Sequence, residues 1–220
     1  MLSPLYLLLV LVGLGLALFL LQIGLLGLAF EKLGLSPASG FTLFLLSLFG
    51  SLINIPIRRF TAEAPPPEAA VPVALRGLLR QIRREFTGET VLAVNFGGCV
   101  VPTLFSLHLM RRHDLPLFDV LAAVGLVSGI AYGFSRPVPG LGIAMPMFVA
   151  PVAAALAALL INPDQAPALA YMSGTLGVLI GADLLHLREI PRLGAPVASI
   201  GGAGTFDGIF MAGIVAVLLA

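Results

Sequence analysis

The chain has 220 residues, 59% of them hydrophobic and only 10% charged, with a mean hydropathy of +1.06 and a formal net charge of +1. A soluble domain carries about 25% charged residues, so the composition predicts an integral membrane protein with lipid as its first partner and no nucleic acid. One cysteine, Cys99, excludes an intramolecular disulfide, and without HExxH, CxxC, Walker or dinucleotide fingerprints no metal or cofactor is expected.

The first apolar segment, residues 4–30, is longer than a signal-peptide core of about 7–15 residues. It lacks a basic leader and a small-x-small cleavage site, so a retained helix is expected. A membrane-crossing helix needs about 20 apolar residues. By that rule, helices are predicted at 4–30, 38–56, 90–110, 117–135, 140–161, 166–187 and 200–219. The expected fold is therefore all-α, a polytopic bundle of about seven transmembrane helices. Two segments could instead be re-entrant: 38–56, which ends in Asn54-Ile55-Pro56, and 140–161, which is broken by Pro146 and Pro151.

Three regions follow. Residues 1–56 form two N-terminal transmembrane helices, 57–89 a cytoplasmic linker, and 90–220 a five-helix membrane core. Within the linker, Thr61–Pro72 is proline-rich and should be extended. Val73–Phe86 places Leu75, Leu78, Leu79, Ile82 and Phe86 at helical spacing, with Arg76, Arg80, Arg83 and Arg84 elsewhere on the wheel. A basic amphipathic helix of this kind suits the headgroup region of a cytoplasmic leaflet, although a surface helix packed on the bundle has the same pattern. With the N-terminus inside, nine Lys and Arg residues fall in cytoplasmic loops and three outside (Lys32, Arg111, Arg112). The positive-inside bias thus predicts a multi-pass protein of the cell inner membrane with a cytoplasmic N-terminus.

The chemistry-bearing stretch runs from 170 to 220. Each of its two expected helices carries one acid in apolar surroundings, Asp183 in GVLIGADLLHL and Asp207 in GGAGTFDGIFMAG. A carboxylate at membrane depth costs a few kcal/mol or more, and such acids mark functional sites by default. At 1.5 Å per residue, Asp183 would sit about 6 Å and Asp207 about 10 Å from the cytoplasmic helix ends. Gly177 and Gly181, and Gly204 and Gly208, form small-xxx-small pairs that let helix backbones approach. Two carboxylates a few ångströms apart share one proton. One can then take a proton from water while the other donates to a carbonyl, which is acid–base hydrolysis. In that reading Asp183 and Asp207 are catalytic, while Gly181, Gly201, Gly202, Gly204 and Gly208 let substrate backbone approach. The competing reading makes both acids structural, paired with Arg188, Arg192 or His186. Asn95, in a helix with Gly97, Gly98 and Pro102, either hydrogen-bonds a neighbour or lines a polar path toward the acids.

Four stretches, NFGGCVVP (95–102), RPVPGLGIAMP (136–146), GTLGVLIGADLLHL (174–187) and ASIGGAGTFDGIF (198–210), resemble an uncharacterised family of prokaryotic multi-pass membrane proteins, a domain of unknown function. A Gly-x-Gly stretch opening an Asp-bearing helix, after another Asp-bearing helix, also distantly resembles the intramembrane aspartyl proteases, such as presenilin, signal peptide peptidase and prepilin peptidase. In that pattern the acid directly follows Gly-x-Gly. Here Thr205 and Phe206 intervene between Gly204 and Asp207, and Asp183 follows Ala182 where the pattern has Tyr. That resemblance implies a hydrolase cutting a transmembrane peptide. Two other classes remain open: a proton- or cation-coupled transporter or channel, and a noncatalytic membrane scaffold. The oligomeric state is not legible.

Overall fold

A computed structural model describes residues 15, 20–61, 88–138, 142–202 and 208–220. Apart from Thr61, which ends a strand, the proline-rich spacer lies outside the described residues, as do the predicted amphipathic helix, Gly204 and Asp207.

The chain is mostly helical. Helices α1 (Leu20–Lys32) and α2 (Pro37–Gly50) meet at a 110° bend. Pro37 makes the turn into α2 because its fixed φ suits the first helical position, while Ser36 Oγ accepts the Ser39 N–H as the N-cap. After α2 come strands β1 (Asn54–Thr61) and β2 (Glu89–Asn95), a π-helical turn (Phe96–Val100) and α3 (Val101–Arg112). Helix α4 (Leu117–Phe134) leads to the small hairpin β3 (Arg136–Val138) and β4 (Gly142–Ala144), then to α5 (Val149–Ile161). Helix α6 (Ala166–Val178) continues through a second π-helical stretch, Leu179–Leu184. A 3₁₀ segment, strand β5 (Val197–Ile200) and α7 (Gly208–Leu219) complete the chain.

The strands depart from the all-α expectation. β1 pairs antiparallel with β2, and β2 pairs parallel with β5, giving a three-stranded sheet in the order β1-β2-β5. The predicted helix 38–56 therefore ends at Gly50 and the predicted helix 90–110 begins only after Asn95. The physical reason is legible afterwards. Ile55, Ile57, Phe60, Thr61, Thr90, Val91 and Val94 are β-branched or aromatic residues that pack well on a pleated surface. Hydropathy over long windows averages such strands into the adjoining helices. The boundaries placed at 56/57 and 89/90 fall inside β1 and β2, so the sheet ties the ends of the linker to both flanking regions.

Two described helices are long and apolar enough to cross a membrane, Leu117–Phe134 and Pro163–Leu184, and the bent α1–α2 pair could supply a third. Seven such helices are not found among the described residues. α3 has 12 residues and α5 has 13, hence about 18–20 Å at 1.5 Å per residue, against a hydrocarbon core of about 30 Å. Phe118, Leu121, Leu156 and Leu160 nonetheless turn outward, Leu160 at 82% exposure. Large outward apolar patches of this kind mark a lipid-facing or partner-facing surface.

The helices alternate in direction, so each connection lies at one of two ends. At the first, Asn162 Nδ2 donates to Asp119 Oδ2 (2.8 Å), His113 Nδ1 meets Gln165 Oε1 (2.9 Å) and Lys32 Nζ donates to Val217 O (3.3 Å). The second end carries the sheet, the β3–β4 hairpin and the π-helical stretch that holds Asp183. Between them α6 is the hub. Tyr171, at 0% exposure, meets Phe105 edge-on at 5.0 Å, and Phe210, Leu169 and Met172 fill the same core. A smaller apolar cluster, including Leu92, Val178, Ile190, Leu193 and Ile200, joins the sheet to α6 and α7.

Candidate functional site

Asp183 lies in the π-helical turn that ends α6. Such turns insert an extra residue in an α-helix, re-aim one side chain and recur at functional sites. Here the half-buried carboxylate lines a cavity of about 440 Å³ between α6, α7, β5 and the start of α5. Its walls are otherwise largely apolar, formed in part by Ile143, Met145, Phe148, Leu187, Ile190 and Ile209. A mostly apolar, preformed cavity with few polar groups is the usual form of a ligand site. Asp183 Oδ2 accepts the Gly201 N–H at 2.7 Å. An exposed ion pair, Arg59–Glu89 at 3.8 Å, lies on the sheet, on β1 and β2.

The structure places the other sequence-predicted residues as follows. Gly201, at φ +86°, sits so close to Gly98 and Cys99 that a Cβ would come within 2.6 Å of Cys99 N. Its packing leaves the N–H for Asp183 and no room for substrate on that side. Gly202 does line the cavity. Gly181 packs on α4, where a Cβ would strike the Ser128 carbonyl oxygen and come within 2.8 Å of Ala131 Cβ. The Gly177/Gly181 pair thus brings backbones together, as small-xxx-small spacing requires, but its partner is α4 and not the last helix. The α6–α7 approach uses Gly174 and Gly213 instead; a Cβ added at the latter would come within 2.6 Å of Thr175 Cγ2. Gly208 opens α7. Gly204 and Asp207 lie outside the described residues, so the Asp183–Asp207 separation is not part of the geometry. The chain on either side of that gap, at Gly202 and Ile209, lines the cavity that holds Asp183.

Asn95 is fully buried and serves as the cap of the turn into α3: its Oδ1 accepts the Gly98 N–H at 2.7 Å. That contact fixes the amide orientation, so Nδ2 donates to Ser51 O (2.7 Å) and Asn54 Oδ1 (3.1 Å). Asn54 Oδ1 in turn accepts the Ser199 hydroxyl at 2.6 Å. A hydrogen-bonded chain therefore runs from Asn95 to Ser199, a cavity-lining residue of β5. Sequence reading found neither Ser199 nor the cavity wall, because strand pairing assembles them. It also left His186 among salt-bridge partners. His186 is buried, with Nδ1 against Ala182 O at 2.9 Å and its ring 4.8 Å from that of Tyr132. Among the described residues no three His, Cys, Asp or Glu side chains gather into a metal-binding group.

The fold and site define a class: a mostly helical protein with membrane-length apolar helices and an acid-bearing apolar cavity at the end of one of them. Residues 48–219 match the family described as "Protein of unknown function (DUF1614)", and the chain belongs to that family. No curated protein and no solved structure matches the chain.

Proposed function

We propose that the chain is an intramembrane di-aspartyl hydrolase whose acid pair is Asp183 and Asp207. The observation that carries this reading is the position of Asp183 on the wall of an apolar cavity that also takes in the chain on both sides of Asp207. A lone carboxylate in such a place costs free energy without a partner. A second acid sharing a proton removes that cost and supplies both a general base and a general acid. The apolar walls suit a transmembrane peptide as substrate. In this proposal the acid-bearing end faces the cytoplasm of a cell inner membrane, with the N-terminus on the same side and seven segments embedded.

The test is cleavage of a Leu-rich single-span peptide by the full chain in lipid nanodiscs. Asp183→Asn and Asp207→Asn should each lower the rate by at least about 100-fold, the usual reach of a positioned acid or base. Unfolding of Asp183→Asn should stay near that of the native chain, since the Asn carbonyl can still accept the Gly201 N–H. Cleavage that survives either substitution sinks the hydrolase. A marked loss of stability in Asp183→Asn with no cleavage at all would point to the scaffold reading.

The π-helical end of α6 favours a second reading, a proton- or cation-coupled transporter, because transporters build their sites from interrupted helices. Proton uptake into vesicles that disappears in Asp183→Asn, without peptide cleavage by the native chain, would select it.

A further inference from the structure

Strand β5 is an edge strand. It pairs with β2 along one side, in the register Val91↔Val197 to Val94↔Ile200, and has no strand on the other among the described residues. Val91 N donates to Pro196 O, which fixes the phase of the parallel ladder. In that phase Ala198 and Ile200 turn their backbone groups toward β2, while Val197 and Ser199 turn theirs away. Ser199 O receives a long contact from Gly202 N at 3.3 Å. The Val197 N–H and C=O and the Ser199 N–H have no partner among the described residues. Unpaired backbone groups away from water cost about as much as a lost hydrogen bond.

The free edge faces the acid. Val197, Ala198, Ser199 and Ile200 all line the cavity. Successive strand residues point to opposite faces, so four in a row can border one cavity only if it lies along the edge. The far end of that edge is Gly201, whose N–H holds Asp183. The opposite wall includes Gly142 and Ile143 of β4.

We propose that this edge docks an extended polypeptide segment as a fourth strand of the sheet, running along Val197–Ile200 toward Asp183. An acyl chain would fill the apolar walls but could not pair the N–H and C=O groups of the edge. An intact membrane helix could not pair them either, because its own backbone groups are already satisfied. Only an extended peptide meets both demands, with ladder hydrogen bonds for affinity and apolar side chains for the walls. This deepens the hydrolase reading and rests on it for the chemistry: a helix unwound onto β5 has its peptide bonds opened beside the carboxylate.

The experiment uses the full chain carrying Asp183→Asn, in detergent, with a fluorescein-labelled, lysine-flanked peptide of alternating leucine and valine. Binding is read by anisotropy. Four arms accompany it: the same peptide with its central amides N-methylated, the Val197→Pro chain, the Val197→Ala chain, and a fluorescent long-chain fatty acid. N-methylation and Val197→Pro should each weaken peptide binding about tenfold or more, because each removes edge hydrogen bonds and leaves the β2 ladder intact. Val197→Ala, which keeps the N–H, should change it less than about threefold. Equal binding of the N-methylated and unmodified peptides overturns the proposal, as does fatty-acid binding with no peptide binding. The N-methylated peptide tests the edge hydrogen bonds on an unaltered strand, whether or not Val197→Pro folds. Docking without cleavage by the native chain would sink the hydrolase and leave the docking edge standing. Cleavage untouched by Val197→Pro would do the reverse.

Discussion

Glycines on neighbouring helices play opposite parts, and the difference can be measured. Gly181 lies where a Cβ would meet the Ser128 carbonyl oxygen and Ala131, both on α4, and backbone cannot rotate out of the way. Gly129, on α4 itself, has nothing within 4 Å of where its Cβ would stand. Gly181→Ala should therefore cost about 1–3 kcal/mol by overpacking. Gly129→Ala should gain up to about 1 kcal/mol, because alanine removes the entropy cost of a helical glycine. Thermal unfolding of both variants in one detergent checks the pair, and equal destabilisation would contradict the packing. The sequence carried half of this. Small-xxx-small spacing at Gly177 and Gly181 announced a close approach, and a close approach occurs. Which helix approaches is decided by the direction in which α6 turns those glycines, and spacing alone does not hold that information. Asp183 was legible for the opposite reason, since an acid in an apolar run stands out whatever surrounds it.

Among the elements, the helix hub was legible and the sheet was not. Long apolar runs gave α4 and the Pro163–Leu184 helix with boundaries close to those expected. β1, β2 and β5 escaped because each is short and joined to an apolar helix, and because β2 and β5 are more than a hundred residues apart in sequence. Nothing local requires that pairing. The consequence for the site is large, since β5 carries the cavity edge and Gly201. Asn95 is the residue on which this junction turns, as it caps the π-helical turn into α3 and joins β2 to Ser51 and Asn54. Asn95→Ala would leave the Gly98 N–H and the Ser51 carbonyl without their partner in a buried place. Each such group costs about 1–3 kcal/mol, so the variant should lose at least that much in denaturant-induced unfolding. Asn95→Asp keeps the acceptor for Gly98 and loses the donor to Ser51 and Asn54. It should retain helix entry yet remain less stable than the native chain. A neutral Asn95→Ala would mean that the network contributes nothing to the fold.

At the scale of the whole molecule, the two ends of the bundle differ in charge as they differ in structure. The end with the sheet and the cavity carries Arg58, Arg59, Arg136, Arg188 and Arg192, whereas the other carries Lys32, Arg111 and Arg112. Chain connectivity makes these ends alternate: α2 runs toward the sheet, α3 away from it, α4 back, and so on to α7. Membrane insertion along the helix axes would then place Arg59, exposed on β1, and Asp114, in the turn between α3 and α4, on opposite sides of the bilayer. Basic residues favour the cytoplasmic side, so the expected side for Arg59 is the cytoplasm. In a Cys99→Ser background, Arg59→Cys and Asp114→Cys would each carry the sole thiol. A membrane-impermeant maleimide should label Asp114→Cys on intact cells and reach Arg59→Cys only in inverted vesicles. Labelling of both from one side would mean that the helices lie in or beside the membrane without crossing it. An inverted pattern would keep the bundle and move the acid-bearing cavity to the outer face, where the proposed hydrolase would meet its substrates after export.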